Sequence, residues 1–375
     1  MRWPGAKKKT ETPAAATSQQ AQAQARAIDD FWTWWADTRP AIQAALADGD
    51  SGTHGTALTE AVRRIHPGLQ WELSRRRDGS QSSSQGPDVF ELTVTPGGHA
   101  EARSAAARWL LAAPPDTDGW QFHATRQPDP AALSRRLVHG PAETGIVLAR
   151  TTVTITQDEQ VPRLHLTVRN EQFEDLDDAT AAAYLALDWA LGEADVQRWI
   201  GNVTATAKPA DRTGDRATDR TGENNTVPIA ELPAAVAAFA EKHPRAYALV
   251  SAQVRGMPLT AIIQTPISPV DHPLLDDHIA VTVPYTTMNA SRLQTGQSAQ
   301  RMNDFDQALA DLVGPDGQLL VAVSCDGQRV FHYYTDPHTD VAARIGAWQH
   351  GWPEGTVTIH TEHDPAWSAV QPFLF

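Results

Sequence analysis

The pair Asp326-Gly327 restricts what this chain can fold into more than any other feature, because it sits between two apolar runs, residues 319–324 and 329–334. A two-residue turn needs residues that tolerate positive φ, and Asp-Gly supplies them, so the two runs are predicted to pair as a short hairpin. Residues 247–254 and 259–265 form another predicted hairpin across Arg255-Gly256-Met257-Pro258, and residues 279–283 and 356–360 read as further strands. Helical patterns lie between them. Leu232, Val236 and Phe239 stripe residues 229–242, which end at His243-Pro244. Phe305, Leu309 and Leu312 stripe a helix closed by Gly314-Pro315, and residues 339–348 read as one more.

The first half uses the same elements. Asp29-Asp30 is a good helix opening, since carboxylates complement the free N–H groups of a first turn. Phe31, Trp34, Trp35, Ile42 and Leu46 follow at roughly helical spacing up to Gly49. Pro40 within this pattern predicts a kink or two abutting helices. A helix over 57–65, a strand around Leu69, Trp71 and Leu73, a loop over 75–87 and a returning strand over 89–94 come next. A helix over 100–111 and a strand over 120–124 follow, then a hairpin of 151–156 with 164–168. The pattern closes with a helix over 178–191 capped by Gly192 and a last strand holding Val203. Strands in hairpins with helices between them predict an α+β chain of two domains, each a mainly antiparallel sheet with helices packed on one face.

Residues 207–226 interrupt this alternation. They are charged and rich in Thr and Gly, Asp-Arg-Thr occurs twice, and no large apolar side chain is present, so they read as a flexible linker. The expected organisation is a disordered tail at 1–27, an N-terminal α+β domain at 28–206, the linker at 207–226 and a C-terminal α+β domain at 227–375.

A content of 41% hydrophobic and 20% charged residues is that of a globular chain. The net charge of −14 argues against nucleic-acid binding, which needs a basic surface, and leaves room for a basic protein partner. Cys325 is the one cysteine, so neither an intramolecular disulfide nor a cysteine-based metal centre can form. With no apolar leader after Lys7-Lys8-Lys9 and no membrane-length apolar run, the expected location is the cytoplasm. No phosphate-binding loop, dinucleotide fingerprint or nucleophile elbow is present, and no cofactor is expected.

Several stretches are aromatic landmarks. Phe31-Trp32-Thr33-Trp34-Trp35, the stretch from His66 to Glu72 and the stretch from Leu185 to Glu193 resemble bacterial proteins that contain the domain of unknown function 695. Arg329-Val330-Phe331-His332-Tyr333-Tyr334-Thr335-Asp336-Pro337 and Glu362-His363-Asp364-Pro365-Ala366-Trp367 resemble that domain itself. The resemblance implies neither an activity nor catalytic residues. By association with a ribonuclease-regulator-like module in similar chains it implies regulation.

The richest polar cluster spans His332, Asp336 and His338, where imidazole and carboxylate could provide acid–base chemistry; a strand packing its aromatics and opening into an Asp-Pro helix start is the plainer reading. His360, Glu362 and His363 have the composition of half a metal site without a known ligand spacing, and no metal is expected. Asp271-His272 and Asp276-Asp277-His278 form a third patch, in a loop. Asp326 beside Cys325 disfavours a reactive thiolate. Trp32, Trp34 and Trp35 are candidates for a partner surface, since helical neighbours about 100° apart cannot all face one core. Two functions follow. The first is a non-enzymatic protein-binding or regulatory module, and the second an enzyme of unknown class, a hydrolase being one candidate, with a His/Asp site in the C-terminal domain.

Overall fold

A computed structural model describes residues 14–50, 52–77, 88–115, 119–134, 136–139, 144–158, 161–176, 178–208, 225–254, 256–348 and 351–373. The chain is α+β, with mostly antiparallel sheets packed by helices. It divides into two compact units, Met1–Ala124 with Asp336–Asp340, and Thr125–Thr335 with Val341–Phe375. Among the described residues no helix is long and apolar enough to cross a membrane.

In the first unit, helices α1 (Ala14–Ala47) and α2 (Gly55–Ile65) precede strands β1 (Gln70–Arg77) and β2 (Asp88–Thr95), which pair antiparallel. Helix α3 (Arg103–Leu111) leads to β3 (Trp120–His123), parallel to β2. Residues 14–27, expected as disordered tail, are the opening turns of α1. Ala and Gln are good helix formers, and polarity alone does not oppose a helix. Residues 1–13 lie outside the described residues. Pro40 stands inside α1, which continues on both sides of it in place of two abutting helices. Phe31 and Trp35 before it and Ile42 and Leu46 after it are all buried, and this packing offsets the lost hydrogen bond. Arg75, Arg76 and Arg77, expected in a loop, extend β1 against the first residues of β2. The rest of that loop, 78–87, lies outside the described residues.

The second unit opens with the antiparallel pair β4 (Arg136–His139) and β5 (Thr144–Val147). Strands β6 (Thr152–Gln157) and β7 (Leu164–Arg169), helices α4 (Ala179–Leu191) and α5 (Glu193–Trp199), strands β8 (Ile200–Thr206) and β9 (Thr226–Pro228) and helix α6 (Leu232–Lys242) follow. Asp178 caps α4 by accepting from the Ala181 N–H at 2.8 Å, and Gly192, at φ 80°, ends it. Most of the expected linker, 209–224, lies outside the described residues. The chain on its two sides joins one sheet, ordered β8-β7-β6-β9. The apolar face of α6 needs a partner and finds it here, for Val236 and Phe239 share a core with Leu166, Leu187 and Trp199. The division between compact units accordingly falls at Ala124/Thr125 and not at 207–226.

The last sheet contains β10 (Ala246–Val254), β11 (Met257–Thr265), β12 (Asp277–Pro284), β13 (Gly317–Cys325), β14 (Gln328–Thr335) and β15 (Thr358–His363). Their order is β10-β11-β13-β14-β12-β15, each neighbouring pair antiparallel. Helices α7 (Gly296–Val313) and α8 (Val341–Ala347) cover one face, where Phe305 and Leu309 meet Ile279, Val281 and Phe331. Trp367, Val370, Ile267 and Leu275 pack against the other. The hairpin turn between β13 and β14 has φ 48° at Asp326 and φ 80° at Gly327, the left-handed pair that the sequence predicts.

Glu354 anchors the start of α7. Its carboxylate accepts hydrogen bonds from the Thr286 N–H (2.8 Å) and hydroxyl (3.1 Å), the Ser298 hydroxyl and the Arg301 guanidinium (3.0 Å). Burial opposes the charge, but these donors outweigh it and hold the group at a pKa of about 2. Glu354→Gln is expected to lower the urea-unfolding free energy at neutral pH by about 2 kcal/mol. A depressed carboxyl stabilises above its ordinary value of 4.5 and stops doing so as pH falls through about 2, so the gap between wild type and variant should close over that interval.

Candidate functional site

Strand β14 places alternate side chains on opposite faces of the last sheet. Arg329, Phe331 and Tyr333 face α7, whereas Val330, His332 and Tyr334 face Trp367 and Val370. Each set builds a polar group of its own.

On the Trp367 face, three separate stretches of sequence converge. His278 on β12 lies opposite Tyr334 on β14 and Glu362 on β15. His278 Nε2 is 2.9 Å from His332 Nδ1, and His278 Nδ1 is 3.2 Å from Glu362 Oε1. The carboxylate fixes the direction of this chain. Glu362 can only accept, so His278 donates from Nδ1 and accepts at Nε2 from His332 Nδ1–H, which leaves Nε2 of His332 as an acceptor. His360 lies at the rim, 3.7 Å from Glu362. Next to the imidazoles, the Tyr334 hydroxyl donates to Asp364 at 2.6 Å. Burial disfavours the Asp364 charge, but that bond and the backbone N–H groups of Ser368 and Ala369 outweigh it and lower its pKa.

Burial lowers the pKa of both imidazoles, that of His332 to about 3, with His278 adding to the effect there. The pair is neutral at physiological pH. A general base works best with a pKa near the working pH, so this network suits neutral hydrogen bonding better than proton abstraction.

The other predicted site residues take other partners. His332 belongs to the second unit, while Asp336 and His338 fall in the first, where the Asp336 carboxylate pairs with Arg108 and accepts from the His338 N–H at 2.8 Å. His363 bonds Asp277 at 2.9 Å, away from the imidazole pair. Among the described residues no three His, Cys, Asp or Glu side chains are grouped so that they could hold a metal ion. The Cys325 thiol is half-buried, and burial and then Asp326 push its pKa up.

The tryptophans fill a core. Trp35 is 2% exposed and meets Trp120 edge-on at 4.8 Å. Trp32 stacks on Trp109 at 4.9 Å and donates its indole N–H to the Trp109 carbonyl, and Trp34 is half-buried beside Phe31. The helix presents its rings to several sides because α3 and β3 supply aromatic neighbours beyond a single stripe.

On the α7 face lies a cleft of about 410 Å3, a size suited to a small molecule. Ile262, Ala310, Val313, Leu319 and Ala322 give it apolar walls, and Tyr247 stands at its edge. Among its lining residues Arg329 is the one cation and Asp306 the one anion. Arg329 is 9% exposed, and its guanidinium makes one side-chain bond, from Nη1 to the Ser324 hydroxyl at 3.3 Å, while Nε is enclosed and unbonded. Its Cζ lies over the Phe331 ring, 5.1 Å from the ring centroid, a cation–π contact. The Tyr333 hydroxyl is enclosed without a partner, and burial, then Asp306, push its pKa up. Asp306 accepts no hydrogen bond among the described residues, and burial raises its pKa despite Arg329. Gly317 lines the floor, where a Cβ would come within 2.6 Å of Val313.

Sequence reasoning missed Asp306 and Arg329. The signal was there for Arg329, a charge sharing a strand face with Phe331 and Tyr333.

Residues 250–375 match the family of unknown function DUF695. The match takes in the cleft except Tyr247, and the whole imidazole network. The N-terminal motifs, from Phe31 to Glu193, lie outside the DUF695 match. No curated protein and no solved structure matches the chain.

The imidazole pair gives the DUF695 region an acid-sensitive face. With folded pKa values below the ordinary 6.5, the unfolded chain binds more protons, so stability falls as pH drops from about 6.5 towards 3. His332→Gln is expected to flatten the decline of the urea midpoint between neutral and mildly acidic pH. An unchanged slope would show that the pair does not titrate in this way.

Proposed function

We propose that the DUF695 region is a non-enzymatic binding module that holds a small molecule by its carboxylate at Arg329. The single observation behind this reading is the state of that guanidinium, which is buried, set over Phe331, bonded once and open to a cleft. A buried cation short of partners carries a large desolvation cost, and a carboxylate is the group that relieves it best, by paired hydrogen bonds. A phosphate dianion fits less well, because one cation cannot balance it and Asp306 repels it.

The neutral imidazoles on the opposite face support binding over catalysis. The half-buried Trp32 and Trp34 and the buried Trp35 leave a partner surface there with little support.

Isothermal titration of the full chain with isocaproate is expected to show saturable one-site binding. Arg329→Met should abolish it, whereas Tyr333→Phe should leave it unchanged and the ligand-free protein at least as stable, since an enclosed, unpaired hydroxyl is removed. Binding undiminished in Arg329→Met, or no binding of either isocaproate or its 2-amino analogue leucine by the wild type, would refute the reading.

A further inference from the structure

The α7 wall of the cleft carries a second unpartnered charge, and this extends the reading just given, on which it rests. Asp306 projects from α7 into the space lined by Arg329 and Tyr333 and receives no hydrogen bond among the described residues. It is near enough for its field to act on Arg329 and Tyr333, yet no ion pair closes between it and the guanidinium. A facing acid and base would ordinarily meet directly if nothing belonged between them, because each is otherwise left partly desolvated.

We infer that the cleft binds a free α-amino acid with an apolar side chain, its carboxylate on Arg329, its ammonium on Asp306 and its side chain against Ile262 and Val313. The zwitterion carries both charges on adjacent carbons, so one ligand pairs both orphan groups and adds no net charge to the cleft. A simple carboxylic acid would leave Asp306 unpaired and facing an anion, and a simple amine would leave Arg329 unpaired. Ile262, Ala310, Val313, Leu319 and Ala322 give an apolar side chain surface to cover, while Gln318 and Tyr247, bonded to each other, also line the cleft.

The test compares leucine, isocaproate (leucine without its amine) and leucinamide (leucine without its carboxylate) by isothermal titration on the full chain. Leucine is expected to bind at least about tenfold more tightly than either analogue, the size of one charged hydrogen bond. In Asp306→Asn, an isosteric change checked for an unaltered thermal melt, the preference for leucine over isocaproate should fall to about unity. Isocaproate binding the wild type as well as leucine would overturn the amino-acid assignment and leave carboxylate binding standing. A preference that survives in Asp306→Asn would also overturn it. Failure of both leucine and isocaproate to bind would remove the two readings together.

Discussion

The register of the β13–β14 hairpin governs the chemistry of the second unit. Asp326 and Gly327 adopt positive φ, so Ser324 pairs with Arg329 and Ala322 with Phe331. A slip of one residue would turn every side chain of β14 to the other face. Arg329 and Tyr333 would then leave the cleft, and His332 would leave His278. The extra residue Leu320, where the pairing shifts between Leu319 and Val321, shows how the strand adapts. It lets Leu319 stay on the α7 face and sends Leu320 to the Trp367 side, so both cores keep their apolar contacts.

The fold was legible where the physics is local. The Asp326-Gly327 turn, the alternation of β6 and β7 and the Asp178 and Gly192 limits of α4 depend on neighbours in sequence. What was not legible depends on distant partners. Residues 14–27 read as tail because nothing in their composition buries, yet they lie in one helix with Phe31 and Trp35, which pack deeply. The stretch around 207–226 read as a domain boundary because its own composition cannot pack. Composition could not reveal that β9 and α6, just beyond it, return to β6 and α4.

The candidate sites divide in the same way. His278, His332, His360 and Glu362 were each visible as members of polar patches, but in three patches far apart in sequence. Only the strand order β14-β12-β15 makes them neighbours, and it places β12 between two strands that follow it in the chain. The grouping of His332 with Asp336 and His338 assumed that closeness in sequence survives the end of a strand. Beyond Thr335 the chain instead gives Asp336 a different partner in Arg108. For Trp32, Trp34 and Trp35 the angular argument was sound, since the rings do point to different sides. It lacked knowledge that Trp109, Trp120 and Phe122 await them there.

The two faces of β14 carry different polar groups. On the Trp367 face His278 and Tyr334 have bonding partners, and His332 is tied to His278 at one nitrogen. Such a network specifies packing and costs little once complete. On the α7 face a guanidinium, a phenol and a carboxylate stand within one cleft with a single weak bond among them. Arg329 Nε and the Tyr333 hydroxyl are buried there without a partner, as are Trp35 Nε1, Trp109 Nε1 and Ser268 Oγ elsewhere, while Asp306 is half-buried at the same cleft. The cleft instead gathers a cation, a carboxylate and a phenol around one open space, and the amino acid proposed for it would pair the first two.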